Sequence, residues 1–268
     1  MSVTALSILA YLPAEGESHF PPKPEDFWLP MFQVGGVWVT RPMVICAIIT
    51  AALAIWLVVM SKRAAVVPSR GQHYTELIYD FARNSIARDM IGSKHFRPYL
   101  PLIFALFVFI LFNNLAGIIP FLQLPTMSRI GFPIGLVLIV YVVYHFVGIK
   151  HMGVGGYFKH MVPPGLPGWV VPVVFLLELM TYFITRPLTL ALRLFGNMFA
   201  GHMVLVVFIV GGWTLFTSDS IGLKFVALPA WLMAFVMTLF EGLVQFLQAF
   251  VFTLLTASYI AGALEDSH

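Results

Sequence analysis

Five ionisable side chains fall inside the last two apolar stretches of a 268-residue sequence: Glu178, Arg186, Arg193, His202 and Glu241. Three amides, Asn197, Gln245 and Gln248, accompany them. On a helix, Arg193 and Asn197 share a face at i and i+4, and Glu241, Gln245 and Gln248 form a polar stripe at i, i+4 and i+7. A guanidinium stays charged at any accessible pH, so Arg193 cannot escape the cost of burial by neutralising. Such a fixed cation stabilises an ionised carboxylate brought near it. Acids are few around Arg193, which places its partner on another chain. His202 lies roughly 13 Å along the helix from Arg193, and an imidazole and a carboxyl there suit a proton relay between His202 and Glu241. The plainer alternative is that these groups pair with one another, the amides acting as interhelical glue.

The elements that position these residues follow from composition. The chain is 60% apolar, with 25 Phe, 6 Trp and 9 Tyr, and only 10% charged, 15 basic residues against 12 acidic. A typical soluble domain carries about 25% charge. So few charges cannot cover a folded surface of this size in water, which excludes a single soluble domain. Disorder, a collagen-like chain and a nucleic-acid binder are excluded with it. An all-α polytopic membrane protein is expected, with lipid as the outer solvent. Cys46, the one cysteine, sits in an apolar run as a small hydrophobe, and no Cys/His cluster has metal-ligand spacing.

Residues 1–36 read as an extramembrane N-terminal segment, proline-rich from 13 to 30, followed by one membrane domain over 37–268. Five spanning helices are expected at about 42–60, 99–119, 132–149, 171–210 and 225–263. Tyr74, Leu77, Ile78 and Phe81 recur at helical spacing among charges, so 73–91 reads as an amphipathic helix on the membrane surface. The stretch 150–169 reads as a loop, with His145 at its edge. The last two stretches, at forty residues, would extend roughly 60 Å, twice the ~30 Å hydrocarbon thickness. They form a long, tilted hairpin with Pro187 as a kink candidate. Lys62, Arg63, Arg70, Arg83, Arg88, Lys94, Arg97, Lys150 and Lys159 fall on one side, against Lys23, Arg41, Arg129 and Lys224 on the other. That bias puts the N-terminus outside and the C-terminus in the cytoplasm.

The segment from Leu192 through Arg193, Gly196, Asn197, Ala200 and Gly201 to His202 closely resembles the signature of subunit a of the F-type rotary ATP synthase. Gln245 to Phe252, followed by Thr256 and Tyr259, resembles that family's last helix, and Asn113-Asn114-Leu115 before Pro120 its third-helix motif. The resemblance implies the stator half of a proton motor in an energy-transducing membrane, such as a bacterial plasma membrane. It implies as partners a ring of c subunits, a b-subunit peripheral stalk and other synthase subunits, with protons as the cargo and no cofactor. Two offset half-channels would meet near Arg193, past which each c subunit carries a carboxyl group. Some members place an acid where His202 stands and a histidine where Glu241 stands, so the two types are exchanged here. Some also carry an acid where this chain has Gly117, which leaves Asn113, Asn114, water or Glu178 to line the access path.

A secondary transporter would show repeated halves, and a haem or quinone bundle would pair histidines on one pocket; neither pattern is present. In an antiparallel hairpin of equal rise, residues at one depth keep a nearly constant sum of numbers. Arg193 with Gln248, Asn197 with Gln245, and His202 with Glu241 satisfy that rule and centre the turn on Ile221. One continuous polar seam is expected, with Gly196 and Ala200 permitting close approach.

Overall fold

The computed structural model describes residues 30–34, 37–63, 65–119, 126–162 and 165–264. Nearly all of the expected extramembrane segment 1–36 lies outside them. The described chain opens with an antiparallel pair, β1 (Pro30–Val34) and β2 (Val37–Thr40), in which Gln33 faces Trp38. Everything after it is helical or connecting.

Helix α1 (Arg41–Lys62) starts at Pro42, whose missing N–H falls where the first turn has no partner to give. Its 22 residues reach ~33 Å, enough to cross a bilayer. It stands at the edge of the bundle, where the Trp56 ring lies 5.9 Å from that of Phe112. The segment α2 covers 70–91 as Arg70–Asp80, a π-helical stretch Phe81–Arg88, and a last turn Asp89–Ile91. Ser69 caps it by accepting the Gln72 N–H, and the Gln72 side chain braces the preceding turn through both backbone groups of Ala65.

The amphipathic expectation for 73–91 divides in two. Tyr74 and Leu77 remain exposed, while Ala82, Ile86 and Ala87 are fully buried. Phe81 packs against Phe107 at 5.5 Å and Phe250 at 5.7 Å. The second half of α2 is therefore part of the core rather than only a surface element.

Helix α3 (Leu100–Leu115) has 16 residues, and backbone bonds extend its winding from Phe96 to Ile118. Helix α4 (Gly131–His160) runs well past residue 149, into the stretch read from sequence as a loop. Gly153, at φ 72°, breaks it there. Such a backbone turn is open to glycine at no steric cost. It returns Tyr157 to sit on Gly148, where a Cβ would lie 2.5 Å from the ring. Helix α5 (Val171–Phe216) contains a π-helical turn, Thr181–Thr185, just before Pro187, which has no N–H to offer the Phe183 carbonyl. Helix α6 (Ile221–Gly262) returns antiparallel along α5 with 42 residues. At ~63 Å or more, each of these two must run oblique to the membrane normal to keep its apolar length in hydrocarbon.

Among the described residues four helices are long and apolar enough to cross a membrane: α1, α4, α5 and α6. The fifth apolar helix, α3, is shorter. The chain is thus an all-α polytopic membrane protein, with a small β-hairpin leading in. Its core, built around Ile86, Ile103, Phe107, Ile110, Leu194 and Phe252, lies where α2, α3, α5 and α6 meet.

The hairpin turns at 217–220, slightly before the expected centre at Ile221. Gly211 and Gly212 do not break α5. Gly212 instead admits the Trp231 ring of α6, whose Cδ1 would stand 2.6 Å from an added Cβ. Placing a valine there overpacks the contact, a change that costs about 1–3 kcal/mol. Gly212→Val should lower the thermal unfolding midpoint of the protein in detergent, and Trp231→Leu in the same chain should restore most of it. An unchanged midpoint in the single variant would contradict the contact.

Candidate functional site

Helices α5 and α6 bring the polar residues of both stretches into one seam. The Asn197 amide Nδ2 donates to Gln248 Oε1 at 2.6 Å. One position on, the Gln245 amide Nε2 meets the Met198 sulfur at 3.9 Å and donates to Glu241 Oε1 at 3.2 Å. Gly201 faces the Glu241 carboxyl, which would touch an added Cβ at 3.4 Å. His202, next along α5, is 2% exposed. The third wall comes from α3, where Asn114 Nδ2 donates to the Gln245 carbonyl at 3.5 Å.

These side chains line a cavity of about 350 Å³ whose polar wall is Asn114, Asn197, Glu241, Gln245 and Gln248. Glu241, Gln245, Gln248 and Asn114 are all at least 95% buried. Within them Asn114 Oδ1, Glu241 Oε2, Gln245 Oε1 and Gln248 Nε2 have no hydrogen-bond partner among the described residues. Leaving a buried polar atom unpaired costs roughly 1–3 kcal/mol. The rest of the lining is apolar, including Leu194, Val204, Phe240 and Val244, so water would bind at these polar atoms rather than fill the space. The arrangement can hold a hydrated path inside the hydrocarbon layer.

Arg193 lies one turn along α5 from Asn197 and is exposed. Among the described residues no carboxylate comes within ion-pair distance of it. Glu178 is not brought to this seam. It sits fifteen residues before Arg193, ~22 Å along α5, and does not line the cavity.

The depth rule read from the sequence pairs Asn197 with Gln245, whereas Asn197 reaches one turn further, to Gln248. Met198 and Gly201 are the residues level with Gln245 and Glu241. The expected close approach at Gly196 does not occur, since a Cβ there would meet nothing within 4 Å. Gly196 lies ~100° round the helix from Asn197 and faces away from α6; Gly201 and Gly212 make the approach instead. His145 is not at a loop edge either. It lies inside α4, 4.1 Å from the Tyr141 ring and 4.7 Å from Phe183, with Nδ1 paired to the Tyr157 hydroxyl at 3.0 Å.

The family profile described as ATP synthase A chain matches residues 43–261. The chain belongs to that family. It is similar to proteins called ATP synthase subunit a from a Nocardioides species, 42% identical over 95% of this chain and 96% of the relative. It is likewise similar to those of Pseudarthrobacter chlorophenolicus, 39% identical over 96% and 98%, and Rhodococcus erythropolis, 37% identical over 100% and 96%. Matches of this extent cover all the helices.

Within that family fold, Met198, which sequence reasoning passed over, closes the site against Gly117. Gly117 of α3 lies where an added Cβ would be 2.7 Å from the Met198 methyl group and 3.6 Å from Gln245 Nε2. Met198 therefore fills the volume a side chain at 117 would need. The only sequence signal was the small residue at 117 itself, which says nothing of its neighbour on α5.

Oxidative cross-linking tests the seam after Cys46 is replaced. A disulfide requires Cα atoms within about 7 Å and Cβ atoms near 4 Å. The pair Gly201→Cys with Glu241→Cys should join readily in membranes. Gly196→Cys with Gln248→Cys, at similar depth but turned away, should join poorly, and equal yields would discard this packing.

Proposed function

We propose that this chain is the membrane stator of the ATP synthase, carrying protons through two half-channels against a ring of c subunits and so coupling translocation to rotation. The observation that carries the reading is the exposed Arg193 beside a cavity onto which the buried amides Asn114, Gln245 and Gln248 open. A guanidinium in hydrocarbon needs an anionic partner, and a ring carboxylate arriving from a neighbouring subunit supplies one. Facing Arg193 that carboxylate is ionised; away from it, in contact with a half-channel, it takes up or releases a proton. The same fixed charge repels a proton that would pass directly between the half-channels.

Asn197, Gln245, Gln248 and Asn114 line the outer half-channel, with His202 and Glu241 as its titratable members, and Glu178 lies on the cytosolic side. The b-subunit stalk would hold the chain against the ring's torque. The membrane is the bacterial plasma membrane, crossed five times with α3 as the short span, N-terminus outside and C-terminus in the cytoplasm.

Replacing Arg193 with Lys keeps a charge but exchanges a delocalised fork for a compact ammonium that can lose its proton. Arg193→Lys should abolish ATP-driven proton pumping by inverted membrane vesicles. Arg193→Ala should in addition make the vesicles leak protons. Glu241→Ala should slow passive flux several-fold with the complex still assembled. Near-normal pumping by Arg193→Lys refutes the reading.

Topology has its own check. A membrane-impermeant maleimide added to intact cells should label Ser218→Cys in the turn between α5 and α6. Lys94→Cys should react only after permeabilisation. The opposite pattern would invert the half-channel assignment.

A further inference from the structure

Arg186 is a second intramembrane cation, seven residues from Arg193 on the side of α5 nearer its start. Seven residues are nearly two turns, so both arginines project from one side of the helix, ~10 Å apart. The Arg186 guanidinium carbon stands 3.6 Å from the Tyr182 ring centroid and 5.1 Å from that of Tyr259. Among the described residues no carboxylate lies within ion-pair distance of it.

Val137, Val140, Tyr141 and Tyr144 of α4 close the crevice around it. The titratable groups facing it are Tyr144, His145 and Tyr157 of α4, Tyr182 of α5 and Tyr259 of α6. Tyr144 is committed to the Tyr182 carbonyl at 2.7 Å, and Tyr157 to His145 at 3.0 Å. Glu178 is two turns further along α5, ~12 Å away. Aromatic faces hold a cation in place through their quadrupole, but they carry no net charge and leave its field in force. Arg186 lies fifteen residues, ~22 Å along the axis, from the start of α5.

Resting on the stator reading above, we infer that Arg186 is a second fixed cation of the cytosolic half-channel, a positioning residue that weakens proton binding to the ring carboxyl there. Its field promotes release of the proton into the cytosol during synthesis. In the pumping direction it demands a lower cytosolic pH before the carboxyl reloads. For a ring carboxyl held beside Arg193, at the ~10 Å that separates the two arginines along α5, one charge at an effective dielectric near 20 changes proton affinity about tenfold, or about one pH unit.

In inverted vesicles the cytosolic side faces the medium, so medium pH sets reloading. Removing the cation lets the carboxyl bind a proton at higher pH. ATP-driven pumping by the Arg186→Gln complex should therefore persist about one pH unit further into the alkaline range than the parent. Arg186→Lys, which keeps the charge, should follow the parent profile.

Coincident profiles for Arg186→Gln and the parent overturn the inference, as do equal displacements in both variants. So does loss of the assembled complex in both, which would mark Arg186 as purely structural. Arg193→Lys, measured in the same vesicles, separates this result from the parent reading. If that variant pumps normally the stator assignment itself fails, whereas silent Arg193→Lys with unmoved Arg186→Gln removes only the second cation.

Discussion

Hydrocarbon cannot solvate a guanidinium, and a guanidinium cannot discard its charge. Much of the chain's architecture answers that constraint at Arg193. The residue needs a rigid helix to hold it at depth and an anionic partner from outside the chain. It also needs nearby polar groups that keep water within reach. The α5–α6 hairpin meets these needs together, because the seam that hydrates is the same surface that packs. Gly201 and Gly212 let α6 come close enough for Asn197 to reach Gln248 and for Trp231 to lie on α5. In lipid, where apolar contact between helices has no water to exclude, such close packing and amide bonds of roughly 0.6–2 kcal/mol hold helices together.

The remaining helices support that hairpin from one side. The second half of α2, α3 and α4 bury one flank, with Phe107, Phe250 and Phe81 meeting at 5.5–5.7 Å. The other flank is left apolar and open: Val204 and Val207 of α5, with Leu239, Phe240 and Leu243 of α6, are all exposed. Arg193 is exposed as well. One-sided support is what the proposed stator role requires, since a helix bound on both flanks could not present a sliding surface.

Much of this was legible in the sequence, and the exceptions have physical reasons. Composition and the lengths of the apolar stretches identify a polytopic helical protein. The spacing of Glu241, Gln245 and Gln248 places all three on one face, and the cavity has them there. What periodicity cannot give is which neighbour a face meets. Gly196 and Gly201 are equally small, yet only Gly201 faces α6, because a rotation of ~100° per residue separates one side of a helix from another. The segment after Ile149 looks like a loop because Gly and Lys/His dominate it. It folds as helix because Gly153 supplies one sharp break and Tyr157 docks on Gly148 beside His145, a contact between residues nine apart that no local propensity encodes. Likewise, Tyr74 and Leu77 repeat at the same spacing as Phe81, but only the last is near α3 and α6.

The choice of amides for most of the seam also follows from the proposed function. A chain of waters passes a proton only if each molecule can turn afterwards, so its walls must accept both orientations. Carboxylates accept only and ammonium groups donate only, and either would pin the waters in one sense. Amides carry both functions and no net charge. The unpaired wall atoms are accordingly mixed, with acceptors at Asn114 Oδ1 and Gln245 Oε1 and a donor at Gln248 Nε2. In the seam the acid and the imidazole, Glu241 and His202, stand level with Gly201 and its neighbour rather than with Arg193, so a charge that comes and goes there does not cancel the fixed one. An acid at 117 would stand against Met198 and Gln245. With glycine there, the wall near Asn114 stays neutral, and Glu241 is the one carboxyl among the described residues lining the cavity.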